Sequence, residues 1–214
     1  MYATILLFCT TFHFCFFIGL TASPRTNPKE NNPEIVVDLL IDYLQVKYPK
    51  VNFNELIYVG AQRQKLYYIN QGKLVSVHDV STAINGVGNQ DGSEKTPLGL
   101  HKIQSKIGQN VPLGGVFVGK RFTGKTAEII TETKKTKCDD ITSRILTLKG
   151  LETGINCGED NIDTYHRKIY IHGTPEEGLI GQPASHGCIR MKNKEIMDLF
   201  DTVSVGVTVV ILNN

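Results

Sequence analysis

With 214 residues, 41% of them apolar and 21% charged, the chain has room for one ordinary domain with a buried core and an N-terminal extra. Its 23 basic and 21 acidic residues nearly cancel, to +2, and are interspersed rather than blocked. That argues against a nucleic-acid partner, as does the lack of aromatic residues interleaved with bases.

Ile5 to Leu20 is almost wholly apolar, broken only by Thr10, Thr11 and His13, and Ala22-Ser23 supplies small residues for cleavage. The run is short for a spanning helix, so residues 1–23 are expected to be a secretory signal peptide or an N-terminal anchor. The first bases, Arg25 and Lys29, follow the run, against the positive-inside bias. Residues 24–54 read as a Pro- and Asn-rich linker and a helix. Asn32 is its N-cap, Pro33 its first position, and Pro49 lies beyond its end. Val36, Leu39, Leu40, Tyr43 and Leu44 make its apolar face.

From Leu56 the pattern changes to short β-prone runs at Leu56–Val59, Lys65–Asn70 and Lys73–Val80, with Asn70-Gln71-Gly72 as a hairpin tip. Further strands are expected at Leu98–Gln104, Gly115–Val118, Arg144–Leu148, Lys168–His172 and Val207–Leu212. Strands this closely spaced, without helices between them, predict a mainly β, mostly antiparallel sandwich or barrel over residues 55–213. The 20 glycines fit such a turn-rich fold. One late helix is expected at Lys194–Asp201, capped by Asn193 and turning Ile196, Leu199 and Phe200 to the sheet. Residues 105–143, rich in Gly, Lys and Thr and weakly periodic, read as a long loop or flap.

Of five cysteines, Cys9 and Cys15 fall in the targeting segment, leaving Cys138, Cys157 and Cys188. In an oxidising compartment a Cys138–Cys157 bridge, closing about twenty residues, contributes ~3 kcal/mol and leaves Cys188 free. A fully reduced set is the alternative.

The run IHGTPEEGLIGQPASHGCIRM, Ile171 to Met191, carries the chemistry. It places Cys188 two residues after His186 and sixteen after His172. A thiol attacks a carbonyl as thiolate, and a free Cys, with a pKa of about 8.5, needs a nearby imidazole to take its proton at neutral pH. His172 follows the β-prone Lys168–Ile171 and so ends a strand, on a stiff support, while Gly187 lets the backbone turn sharply before Cys188. A strand-end base and a loop nucleophile are what acyl transfer requires. The N–H groups around Gly187 and Cys188 are suited to a developing oxyanion. His186, nearer in sequence, is the rival base.

Two other patterns compete. Gly119–Thr126, GKRFTGKT, fits the phosphate-loop pattern, but only a short strand precedes it and the Thr- and Ile-rich Ala127–Thr133 makes a poor helix after it, so it reads as an exposed Lys-rich loop. His172, His186 and Cys188 with His166 or Cys157 are a conceivable zinc set, but none has the paired C-x-x-C or H-x-x-x-H spacing, and no metal is expected.

The Ile171–Met191 segment resembles the signature of the L,D-transpeptidase catalytic domain family. That signature is a strand ending in His-Gly-Thr, a short variable stretch, then Ser-His-Gly-Cys, a hydrophobic residue and Arg. Upstream, Gln64-Lys65-Leu66-Tyr67-Tyr68 resembles the family's first hairpin strand and Thr96-Pro97-Leu98-Gly99 its Thr-Pro-x-Gly turn. Thr82-Ala83-Ile84-Asn85-Gly86 resembles the strand between them, with Asn85 where a Thr-Gly pair is more usual.

The resemblance implies the family's sandwich- or barrel-like catalytic fold, with Cys188 as nucleophile and His172 as general base, then acid, oriented by the Gly173 carbonyl. It implies that His186 shapes the pocket or touches substrate beside Gly187. Arg190 either forks onto a substrate carboxylate or serves a structural ion pair, and Ser185 and Thr174 hydrogen-bond the loops. The implied reaction is peptide exchange between peptidoglycan stem peptides, without metal or organic cofactor: Cys188 forms a thioester, D-Ala leaves, and an acceptor amine makes a 3→3 cross-link. Water as acceptor makes the same site an L,D-carboxypeptidase, and a lipoprotein lysine makes it an anchoring enzyme. A non-catalytic wall-binding module is the contrasting class. Export to the periplasm or cell envelope is expected, with membrane contact only through the N-terminal segment.

Overall fold

The computed structural model describes residues 33–136, 139–159 and 161–214. The targeting segment, the linker with Asn32, and Cys138 of the expected disulfide lie outside the described residues. Helix α1 (Pro33–Lys47) precedes β1 (Glu55–Gly60), β2 (Lys65–Asn70), β3 (Lys73–Asp79), β4 (Gly99–Ile107), β5 (Gly115–Val118) and β6 (Arg121–Thr126). Then follow β7 (Ile141–Gly150), β8 (Tyr170–Gly173), β9 (Ile189–Met191), helix α2 (Asn193–Thr202) and β10 (Thr208–Leu212). The strands form one sheet in the order β3-β2-β1-β10-β4-β7-β5-β6, and β8 branches from β7 to carry β9. The β1–β10 and β8–β9 pairs are parallel and the rest antiparallel. The architecture is mainly β, as expected.

Uninterrupted apolar runs in β1 and β10 arise because both faces of these strands are buried. Ile57, Val59, Val209 and Ile211 enter a core shared with Leu146, Ile171, Ile189 and, from α2, Ile196, Leu199 and Phe200. Their alternate neighbours Leu56, Tyr58 and Val210 enter a second core closed by Val37 and Leu44 of α1. The expected face of α1 is thereby corrected. Leu40 and Leu44 do pack inward, but Val37 and Ile41 complete the contact, while Leu39 is 65% exposed and Val36 and Tyr43 also face solvent. Apolar residues occupy so much of this helix that periodicity alone leaves the buried arc undetermined.

The expected long loop over residues 105–143 is also corrected. β4 runs on to Ile107, a β5–β6 hairpin follows, and β7 starts at Ile141. Every residue of β6 is exposed, so no face is buried to impose an alternating pattern. Gly119 and Lys120, φ +55° and +68°, form the hairpin turn. Gly124-Lys125-Thr126 ends strand β6 rather than opening a helix, so the phosphate-loop likeness is accidental.

His101, fully buried on β4, is held by the Gly99 carbonyl at 2.9 Å and Thr164 Oγ1 at 3.1 Å. Burial depresses its pKa from 6.5 to about 4. Because the folded value lies below the unfolded one, stability is full above about pH 6.5 and is lost as pH falls towards 4, by up to ~3 kcal/mol. Denaturant unfolding at pH 7.5 and 4.5 should give that difference in the wild type and a smaller one in His101→Gln, with buried His172 adding to both. Equal slopes in the two proteins would refute the assignment.

Candidate active site

The site is assembled by the short parallel pair β8–β9. Ile171 stands beside Ile189 and His172 beside Arg190. Pleating sends Ile169, Ile171, Ile189 and Met191 into the core, which leaves Tyr170, His172, Cys188 and Arg190 on the opposite face. Cys188 immediately precedes β9, and packs against the Phe117, Ile145 and Tyr170 cluster.

Cys188 Sγ accepts the Tyr170 backbone N–H at 3.4 Å and lies 3.6 Å from the Lys168 carbonyl. The residue keeps partial exposure, yet its packed sulfur is desolvated. Desolvation pushes its pKa up to about 12; the Tyr170 N–H opposes this, Asp139 adds to it, and Arg190 and Arg167 oppose it. The resting group is therefore a thiol, and its proton must leave as attack proceeds. His172 is buried, and its Nδ1–H donates to the Gly173 carbonyl at 2.7 Å. That bond puts the proton on Nδ1 and leaves Nε2 as the acceptor. Burial holds the imidazole below its usual pKa, with the Gly173 carbonyl and Asp139 acting the other way. A neutral, oriented imidazole and a protonated thiol on one face of the β8–β9 pair are the result.

The nucleophile loop is tied down by groups far away in sequence. Thr96 Oγ1 accepts the Ala83 N–H at 2.9 Å and donates to the Gly187 carbonyl at 3.0 Å, so the Thr-Pro turn clamps the loop directly. Thr82–Gly86 forms one isolated bridge to it, Ala83 to Ser185, rather than the strand expected. Gly187 has φ +127°, and a Cβ there would lie 3.0 Å from Ile169 Cδ1 and 3.4 Å from the Lys95 carbonyl. Ser185 Oγ donates to the Cys188 carbonyl at 2.6 Å and accepts the Gly187 N–H at 3.2 Å. The expected oxyanion role of the Gly187 amide is corrected here, because that N–H is turned into the loop.

Arg190 is 1% exposed. Its guanidinium pairs with Glu176 Oε2 at 2.6 Å and Asp139 Oδ2 at 3.1 Å and donates to the Ala184 carbonyl at 2.5 Å. Of the two roles open to it from sequence, the geometry is that of the internal ion pair. The exposed His186 pairs through Nδ1 with Asp139 at 2.8 Å. Thr174 Oγ1 accepts the Glu176 N–H at 3.1 Å. Asn193, expected to cap α2, is instead its first residue and makes no cap bond. Its amide accepts from Thr142 and Ser143, both at 2.6 Å, and donates to the Thr174 carbonyl at 2.7 Å and Glu177 at 2.8 Å. Sequence reading missed Asp139, Glu176 and the bridging role of Asn193. The adjacent Pro175-Glu176-Glu177 inside the motif was the one available signal, since a buried arginine requires a carboxylate.

The zinc set does not assemble. His166 is exposed and pairs with Asp163 at 3.7 Å, His186 Nδ1 is taken by Asp139 and His172 Nδ1 by Gly173. Among the described residues no three His, Cys, Asp or Glu side chains group as a metal site.

Comparison with known proteins gives a consistent picture. The sequence profile of the family described as YkuD, L,D-transpeptidase catalytic domain, matches residues 54–211. A probable L,D-transpeptidase YcfS of Escherichia coli (strain K12) is 24% identical over 199 residues, 92% of this chain and 55% of that protein. A putative L,D-transpeptidase YqjB of Bacillus subtilis (strain 168) is 48% identical over 48 residues, 22% of this chain and 27% of that protein. The chain thus spans well under two thirds of the length of either relative. A solved L,D-transpeptidase structure from Xylanimonas cellulosilytica superposes with a TM-score of 0.48 at 17% identity, covering 81% of this chain and 69% of that one.

Proposed function

We propose, from the premise that the chain belongs to the L,D-transpeptidase catalytic domain family, that it is a cysteine-dependent acyltransferase acting on peptidoglycan stem peptides. The observation that carries this reading is the β8–β9 face, which Cys188, just before β9, shares with a histidine on β8 whose Nδ1 proton is held by Gly173.

Cys188 Sγ attacks the carbonyl joining the third residue of a donor stem, the L-centre of a diamino acid, to terminal D-Ala. Its proton passes to His172 Nε2 in the same step, since a thiol this desolvated does not ionise beforehand. The tetrahedral adduct collapses, the C–N bond breaks, and D-Ala leaves with the proton returned by His172. A thioester remains on Cys188. The side-chain amine of a neighbouring stem attacks it, His172 takes the amine's proton, and the thiol is regenerated as a 3→3 cross-link forms. The thioester conserves the bond energy for the second amide, so the acylation and transfer steps require only these side chains. Residues 1–23 as an export signal would place the enzyme where its substrate lies.

Incubating purified protein with tetrapeptide-bearing muropeptides, followed by mass spectrometry, tests the proposal. Loss of D-Ala with appearance of 3→3 dimers is expected. Release of D-Ala without dimers would make the enzyme a carboxypeptidase, and no release would defeat the acyl-transfer reading.

A further inference from the structure

The mechanism above uses His172 and Cys188 and leaves Asp139 unassigned, although one of its oxygens touches two site residues. Asp139 Oδ2 lies 2.8 Å from His186 Nδ1 and 3.1 Å from an Arg190 terminal nitrogen. It lies two residues before β7, on the chain that joins the β5–β6 hairpin to the site, 47 residues from His186. The two histidines of the motif thus have different orienting partners. A neutral backbone carbonyl holds His172, and a carboxylate holds His186.

We infer that Asp139 is a positioning residue of this site, fixing the Nδ1–H tautomer of His186 and mooring that exposed ring to the buried Arg190, so that Nε2 of His186 is presented to the donor stem. This rests on the acyl-transfer reading for the identity of the ligand alone; the tautomer and the mooring are properties of the free protein. An ionised carboxylate accepts hydrogen bonds and cannot donate, so the ring nitrogen facing it must carry the proton. The mooring is stiff because Arg190 is itself held by Glu176 and the Ala184 carbonyl in the interior. Without it, His186 would be an exposed side chain on a loop beside a left-handed glycine, free to change rotamer. The Asp139 charge also acts on both Cys188 and His172, so the loop contributes to the electrostatics of the reacting pair as well as to its shape. It opposes the cationic Arg190 and Arg167 at the thiol, and Glu176 offsets Arg190 from the far side.

Asp139→Asn and Asp139→Ala, with His186→Gln and the double variant Asp139→Ala/His186→Gln, test the inference in the full-length protein. Long-range proton–nitrogen NMR spectra should give His186 as Nδ1–H in the wild type and as a mixture richer in Nε2–H in Asp139→Ala. Alkylation of Cys188 by iodoacetamide between pH 6 and 10, below the thiol's pKa, should be faster at each pH in both Asp139 variants, because an anion that disfavours the thiolate is gone. Carbapenem acylation at pH 7, followed by intact mass, should slow by about tenfold or more in Asp139→Ala, the scale expected for a displaced binding group. Asp139→Asn, which still accepts from Nδ1–H, should lose less. In the His186→Gln background Asp139→Ala should add little further slowing.

An unchanged His186 tautomer and an unchanged alkylation profile in folded Asp139→Ala would overturn the inference, even if its melting temperature fell. A wild type that shows the tautomer and the profile but is not acylated would count against the acyl-transfer reading and leave the positioning role standing.

Discussion

Cys188→Ala forms no covalent adduct with a carbapenem, and its transfer activity falls by about 10³-fold or more, the scale on which loss of a covalent nucleophile registers. Cys188→Ser is expected to behave almost as poorly. Its hydroxyl is a weaker nucleophile at neutral pH, and the base assigned to it, His172, is a buried imidazole held by a carbonyl rather than by a carboxylate. His172→Gln retains the thiol but removes the proton acceptor, and a loss of about 10²- to 10⁴-fold is expected. Alkaline pH should recover part of that loss, because hydroxide then ionises the sulfur in place of the imidazole, whereas it should recover nothing for Cys188→Ala. Intact-mass kinetics of adduct formation from pH 6 to 10 separate these cases. An adduct that persists in Cys188→Ala would remove the sulfur from the mechanism.

Arg190→Ala destabilises the folded protein by about 3–5 kcal/mol, because it leaves charges unpaired in the interior. Glu176, 3% exposed, loses its 2.6 Å partner, and Asp139 loses its 3.1 Å contact. Arg190→Lys should recover little. One ammonium on a shorter, flexible stem cannot reach Glu176, Asp139 and the Ala184 carbonyl together as the planar fork does. Adding Glu176→Gln to Arg190→Ala should recover part of the loss, since the orphaned charge is then removed. Urea unfolding of the four proteins measures this directly. If Arg190→Ala costs less than about 1 kcal/mol, the pair is solvated and surface-like rather than buried.

Both predictions concern one motif, but only the first can be read from it. The order His172, His186, Gly187, Cys188 suggests a base, a turn and a nucleophile, because such proposed roles depend on residue chemistry and on the strand end that Lys168–Ile171 predicts. The strands β1, β2 and β10 were legible for the same reason, as runs of residues suited to a sheet core. β6 was not. With all its residues in solvent, it carries no pattern of burial to detect. β9 is three residues long, too short to stand out from the motif around it.

What the sequence determined by itself was local: which stretches prefer strand or helix, where the chain must turn, and which side chains offer a thiol and an imidazole. Tertiary structure alone decided the partners. It chose Val37 rather than Val36 as the buried side of α1, turned Asn193 from a cap into a bridge between β7 and the loop after His172, and drew the Gly187 N–H into Ser185. It also brought Asp139 to a histidine 47 positions away. Intrinsic preference acts over a few neighbouring residues, whereas a buried charge or a helix face is satisfied by whatever the folded chain carries past it, and that meeting leaves no trace in the spacing of either partner.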